Sequence, residues 1–227
     1  LTNTARLLVT AGNYGLMVKM RLVCISDTHG RHSKRGRMPR VPDGDVLIVA
    51  GDITSDGSKQ ATQLFNTFLG RQPHTHKIII AGNHDWFLSK YDGHEVLYNA
   101  VYLQDEEVII EGIKFYGSPW QPEFLNWAFN LRRGLPLEQK WAEIPDDTDI
   151  LITHGPPGGI LDIAPPGEHV GCDDLLSRVY AVKPRVHVFG HIHLSYGKEE
   201  RDGITFINAS TCTEAYEPIN PAIVVDI

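Results

Sequence analysis

Residues 77–87 read K-I-I-I-A-G-N-H-D-W-F. The isoleucines Ile78 to Ile80 run through Ala81 and Gly82 into an amide, an imidazole and a carboxylate at Asn83, His84 and Asp85. A short β-branched run closed by Gly has the composition of a strand buried on both faces. Three adjacent polar groups at its end all need partners. The same punctuation recurs outward along the chain: R-L-V-C-I-S (21–26) leads into D-T-H-G, D-V-L-I-V-A (45–50) into G-D, D-I-L-I-T (149–153) into H-G, and R-V-H-V-F (185–189) into G-H-I-H.

Between these runs lie two helix candidates. Residues 58–69 carry Leu64, Phe65, Phe68 and Leu69 at helical spacing, and residues 172–182 carry Leu175, Leu176, Val179 and Val182 on one face behind Asp173 and Asp174. Strands alternating with helices predict an α/β layered fold. Residues 107–118 read as a hairpin turning at Glu111-Gly112, and the tail runs G-I-T-F-I-N-A-S and P-A-I-V-V-D-I suggest antiparallel additions or a second sheet packed on the first.

Bulk properties bound the function. A chain of 227 residues, 42% hydrophobic and 22% charged, fits one large domain, expected over 20–227, with 1–19 set aside as an N-terminal extension for which Met17 or Met20 is an alternative start. The formal charge of −7 argues against coating a polyanion, so no stable nucleic-acid complex is expected. Cys24, Cys172 and Cys212 form no C-x-x-C pair, no apolar run approaches the length of a membrane helix, and residues 1–19, broken by Asn3, Gly12, Asn13 and Gly15, lack the basic start and apolar block that mark a signal peptide. A reducing cytoplasm and no membrane association are the expectations.

In α/β sheets ligands bind beyond the carboxyl ends of strands, and every polar cluster falls there. Asp27, His29, Asp52, Asn83, His154, His191 and His193 form a nitrogen and oxygen donor set without thiolates, suited to Mn²⁺, Fe, Mg²⁺, Co²⁺ or Zn²⁺. There are donors enough for two divalent ions. Asp52, alone on its strand end, is the natural bridging carboxylate. An isolated D-x-H or G-D is more often a turn or cap. Five clusters in order, each after its own strand, favour metal.

These motifs, D-x-H, G-D, G-N-H-D, an isolated His and G-H-x-H, resemble those of the calcineurin-like metallophosphoesterases from about Arg21 onward. Within that superfamily K-F-Y-G-S-P-W-Q-P, I-T-H-G-P-P, H-V-G-C and I-N-A-S-T-C are most similar to the small MPPED-type subgroup, which resembles class III cyclic-nucleotide phosphodiesterases. The resemblance implies a four-layer αββα sandwich of two mixed sheets flanked by helices. It implies one ion on Asp27, His29, Asp52 and His193, the other on Asp52, Asn83, His154 and His191, with Mn²⁺ the first choice. Some animal members of the subgroup lack the first His of G-H-x-H; this chain keeps it as His191.

The implied activity is hydrolysis of small phosphodiesters such as cyclic nucleotides by hydroxide attack at phosphorus, with Asp52 and His84 catalytic and His84 acting as general acid to the leaving oxygen or as an electrostatic stabiliser. Asn83, His84, Asn208 and Ser210 are expected on the substrate side. The alternatives are a low-turnover nucleotide-binding regulatory protein, or a nuclease or phosphomonoesterase on the same site. The sequence G-D-I-T-S-D-G after Ala50 departs from the G-D-x-V-D-R-G of protein phosphatases.

Other residues are weaker candidates. Asp85 is expected to cap a following helix, with orientation of His84 as its alternative; Asp56 is a second possible partner of His84. The basic run 31–37 could steer phosphate, although such loops are usually solvated surface. Trp86, Trp120 and Trp127 could stack a base, Trp120 first among them. His187 is expected to be a hydrogen-bonded core residue.

Overall fold

A computed structural model of the chain describes residues 19–33 and 38–227. Most of the expected N-terminal extension and the centre of the basic run, Lys34 to Arg37, lie outside them.

The principal strands are β1 (Arg21–Ile25), β2 (Val46–Ala50), β3 (His76–Ile80), β4 (Val101–Tyr102), β5 (Glu106–Ile110), β6 (Ile113–Ser118), β7 (Ile150–Thr153), β8 (Val186–Phe189), β9 (Gly197–Arg201), β10 (Ile204–Asn208) and β11 (Ile223–Asp226). The helices are α1 (Lys59–Leu69), α2 (Leu135–Trp141) and α3 (Asp173–Val182). One sheet has the order β11-β1-β2-β3-β4 and the other β9-β10-β8-β7-β6-β5. The centre of each is parallel, β1-β2-β3-β4 and β6-β7-β8-β10. β11, β9 and β5 pair antiparallel to their neighbours.

Alternation along the strands explains the layering. Leu22, Cys24, Val46, Ile48, Ile78 and Ile80 of the first sheet meet Phe115, Ile150, Ile152, Val186, Val188 and Ile207 of the second in one apolar layer. The intervening residues Val23, Ile25, Leu47, Val49 and Ile79 face outward onto Phe65 and Leu69 of α1. On the far side Leu151, Phe189 and Phe206 face Leu137, Trp141, Leu175 and Val179 of α2 and α3. Both faces of each parallel core are therefore covered, and the chain is the expected αββα sandwich.

Local chemistry sets the boundaries. Ser58 Oγ accepts the Ala61 N–H at 3.1 Å and starts α1. The hairpin pairs Ile110 with Ile113 around Glu111 (φ 50°) and Gly112 (φ 80°), the two-residue turn with positive φ at both positions that matches strand twist. In α1 the buried apolar side chains are Phe65 and Leu69, whereas Leu64 is 49% exposed, one position too far round the helix. The seven-residue α2 has no sequence signal beyond a proline in its first turn. It is held by burial of Leu137 and Trp141, the latter donating its indole N–H to Cys172 Sγ at 3.3 Å. His187 is buried and its Nε2 lies 2.8 Å from Thr153 Oγ1, the expected core role.

Candidate metal centre

The turns after β1, β2, β3, β7 and β8 converge beyond the strand ends. Asp27, His29, Asp52 and His191 hold φ angles of 52°, 42°, 51° and 67°, a region few residues other than Gly adopt. These left-handed steps fold the side chains back over the sheet ends instead of letting the strands continue. The glycines before the ligands have a packing reason: a Cβ on Gly82 would lie 2.3 Å from Asp52 Oδ1, and one on Gly190 would lie 2.1 Å from Asp27 Oδ2.

Three groups of side chains place their donor atoms within 4.8 Å of one another: Asp27, His29 and His193; His29, Asp52 and His84; Asp52, His154 and His191. His29 Nε2 is 3.2 Å from His193 Nε2, 3.8 Å from Asp52 Oδ2 and 3.9 Å from Asp27 Oδ1. On the other side of Asp52, His154 Nε2 lies 2.9 Å from Asn83 Oδ1 and 3.4 Å from Asp52 Oδ1. Asp52 stands between the two groups, in the place expected of a bridging carboxylate.

The donor set fits divalent cations on evidence beyond the motif. Asp27 Oδ1 is fully buried, faces the His29 and His193 nitrogens and has no hydrogen-bond partner among the described residues, an arrangement that is costly unless a cation satisfies it. In two of the four histidines the ring nitrogen that faces away from the centre is engaged: His154 Nδ1 pairs with Ala50 O at 2.9 Å and His193 Nδ1 with Thr213 O at 3.0 Å. Such backbone acceptors fix the ring so that Nε2 points inward, as metal-ligating histidines require.

The electrostatics follow the same division. Burial alone would raise Asp27 and Asp52, but the close imidazoles of His193, His154 and His29 outweigh it and hold both carboxyls well below the usual range. Burial opposes charge on His154 and His193 as well, yet the adjacent Asp52 and Asp27 push each up to about 9. His29 is lowered to about 4 and His191 to about 3, both chiefly by burial, so these two are neutral donors at once. His154 and His193 carry protons that an arriving cation displaces.

All seven residues that the sequence offers as candidate ligands thus meet at one centre. Asn208 and Ser210 do not sit on the substrate side: both are fully buried beneath Asp27. Ser210 Oγ donates to Asp27 Oδ2 at 2.9 Å and lies 2.8 Å from Asn208 Oδ1, while Asn208 Nδ2 donates to the carbonyls of Ile192 and Leu161. Their strand end turns inward and supports a ligand. Asp85 caps no helix, because residues 86–90 form turns and no helix follows them before α2. Its buried carboxylate, raised to about 7 by burial and by Asp52, accepts from Gly82 N, Ile53 N, Thr54 N and Thr54 Oγ1, tying the β2 and β3 loops together. Asp56 accepts from Ser58 N, a turn role. Trp120 donates its N–H to Asp105 at 2.8 Å and packs on Phe129.

A cavity of about 670 Å³ opens over the centre. His84 and Asn83 line it, as expected, with Trp127, Tyr216, Phe124 and Arg133. Arg133 also donates to the carbonyls of Gly171 and Val170 at 2.7 and 2.6 Å. Tyr216, in a strained turn at φ 57°, sets its ring edge-on 4.8 Å from His29. Neither Arg133 nor Tyr216 lies in a motif, and only the tertiary fold brings them to the cavity.

The chain belongs to the calcineurin-like phosphoesterase family, whose model matches residues 20–195. It is 46% identical over 234 residues to the Metallophosphoesterase domain-containing protein 1 of Homo sapiens, covering 91% of this chain and 71% of that protein. A Caenorhabditis elegans UPF0046 protein is 39% identical, with 92% of this chain and 60% of that protein covered. Among solved structures, the Mycobacterium tuberculosis phosphopantetheinyl hydrolase superposes with a TM-score of 0.60 at 14% identity, covering 90% of this chain and 96% of that one, which is a likeness of fold. Membership makes the chain a phosphoesterase hydrolase that uses divalent metal ions. Among the described residues no helix is long and apolar enough to cross a membrane.

Proposed function

We propose that the protein hydrolyses small phosphodiesters, cyclic nucleotides first among them, with two divalent ions, preferably Mn²⁺, held by Asp27, His29, Asp52 and His193 and by Asp52, Asn83, His154 and His191. Bound there, the ions would supply Lewis acidity to the phosphoryl oxygens and lower the pKa of the attacking water. The protein's own groups do the rest. Asp52 faces both ligand groups with one carboxylate, and its Oδ1 accepts the His84 N–H at 2.8 Å, fixing the turn that presents the imidazole. His84 Nδ1 lies 3.3 Å from the Ser55 carbonyl, which directs Nε2 into the cavity, 4.0 Å from Asp52 Oδ2. From there Nε2 gives its proton to the leaving oxygen as the P–O bond breaks. The Arg133 guanidinium on the wall favours an anionic substrate, and the cavity size suits a small ester.

The observation that carries this reading is Asp27 Oδ1, buried without a hydrogen bond among the described residues while the His193 and His29 nitrogens face it at 3.4 and 3.9 Å. The reading of a non-hydrolytic nucleotide binder is weakened by His191, whose imidazole completes the group with Asp52 and His154. The buried, unbridged cysteines Cys24, Cys172 and Cys212 suit a reducing cytoplasm. The test is hydrolysis of bis(4-nitrophenyl) phosphate, 4-nitrophenyl phosphate and a panel of 2′,3′- and 3′,5′-cyclic nucleotides with and without added Mn²⁺. Metal-dependent turnover preferring diesters is expected. A preference for monoesters would overturn the substrate class, and no metal-dependent turnover on any substrate would leave a binding protein.

A further inference from the structure

His84 is under-determined by hydrogen bonding. Among the described residues its single ring hydrogen bond is the 3.3 Å contact with the Ser55 carbonyl, long for a bond meant to fix an imidazole. The nearby carboxylates do not fix the plane: Asp52 Oδ2 is 4.0 Å from Nε2, beyond hydrogen-bond reach, Asp85 is committed to Gly82, Ile53 and Thr54, and Asp56 to Ser58. Something else must define the ring plane if Nε2 is to meet a leaving oxygen.

The Trp127 indole lies against it, with ring centroids 4.2 Å apart and planes inclined by 32°. His84 also makes a T-shaped contact with the His29 ring at 4.7 Å and 80°. Rotation about the Cβ–Cγ bond would drive the imidazole into one ring or the other. Trp127 is itself anchored to the same backbone: the next residue, Ala128, donates its N–H to the Asn83 carbonyl at 3.2 Å. The loop is closed by Asn130, whose Nδ2 donates to the Phe124 and Leu125 carbonyls at 3.1 and 3.2 Å. One indole face is thereby occupied by His84, which removes it as a platform for a base.

Outside the hydrophobic core clusters and only half-buried, Trp127 contributes little to the fold. We infer that Trp127 is a positioning residue that clamps the His84 imidazole in the plane needed for proton donation to the leaving group. This rests on the reading of His84 as the general acid.

An acid in the wrong plane harms esters in proportion to their need for protonation, so the experiment varies the leaving group. Steady-state kinetics on methyl aryl phosphodiesters, from 4-nitrophenyl to unsubstituted phenyl, are measured for the metal-loaded wild type, Trp127→Leu, Trp127→Phe and His84→Ala, with metal content and thermal melting recorded for each. Trp127→Leu should lower kcat by about 10- to 100-fold for the phenyl ester but under about threefold for the 4-nitrophenyl ester. KM, metal content and melting should stay near wild type, and Trp127→Phe should restore most of the phenyl-ester rate. His84→Ala should show the same leaving-group dependence more steeply. If His84→Ala slows every ester equally, the acid role of His84 is wrong. If His84→Ala is selective while Trp127→Leu is not, or Trp127→Leu instead raises KM across the series, His84 keeps its role and the clamp is wrong.

Discussion

The floor of the cavity and its rim are built in opposite ways. On the floor Asp27 and His154 are fully buried and Asp52 and Asn83 nearly so, each at a strand end and hydrogen-bonded to backbone, to Ser210 or, for Asn83, to His154. On the rim Phe124, Leu125 and Tyr216 are 56%, 69% and 40% exposed, on loops whose own turns hold them. The floor dictates what reacts, because buried turns at the strand ends hold its donor atoms in place. The rim dictates what is admitted, because loops set its shape without disturbing the sheets.

Substitutions can break this division. Asp52→Asn keeps an oxygen for the His84 N–H but removes the charge shared by both ligand groups. It should weaken Mn²⁺ binding by more than about 100-fold, beyond the usual cost of losing an outer hydrogen bond, and bring turnover to background. Equilibrium dialysis with assay measures both.

Next in size is the pH dependence of metal uptake. His154 and His193, raised to about 9 beside Asp52 and Asp27, must each lose a proton when a cation binds. Affinity should therefore rise by up to about tenfold per pH unit for each ion as pH approaches 9, with protons released, as calorimetry in buffers of different ionisation enthalpy would detect. The metal-free fold has the opposite sign. Groups raised from 6.5 to about 9 stabilise it fully below pH 6.5, and that stability is lost as pH rises through 9.

Ser210→Ala sharpens the boundary from below. With Ser210 beneath Asp27, its loss should weaken metal binding by about tenfold and leave KM at saturating metal unchanged. A raised KM would return Ser210 to the substrate side. The smallest effect is expected on the rim: Phe124→Ser or Leu125→Ser should raise KM for bulky esters by less than about tenfold, with metal content and melting unaltered.

The floor was legible in the sequence because its chemistry obeys a local rule. An apolar run short enough for one strand, then a donor at its end, with a glycine that permits close approach just before it in G-D, G-N-H-D and G-H-I-H, marks a candidate ligand before any fold is known, and five such strand ends identify a centre. The layering followed from β1, β2 and β3, whose unbroken apolar runs demand cover on both faces. What stayed hidden depended on contacts between distant segments. Nothing near Asn208 or Ser210 reveals whether that strand end faces the cavity or the underside of Asp27, 183 residues from Ser210. Asp85 follows the pattern of a helix cap, but the β2 loop takes its carboxylate first. Among the tryptophans the residue facing the site is Trp127 and not Trp120, because Asp105 draws the Trp120 indole away.

The central claim is a pair of cations sharing Asp52. Counting Mn²⁺ bound per chain by equilibrium dialysis, with electron paramagnetic resonance on the loaded protein, tests it most directly. The account predicts two ions with spectra showing spin coupling between them. A single uncoupled ion in a fully active protein, or none, would contradict it.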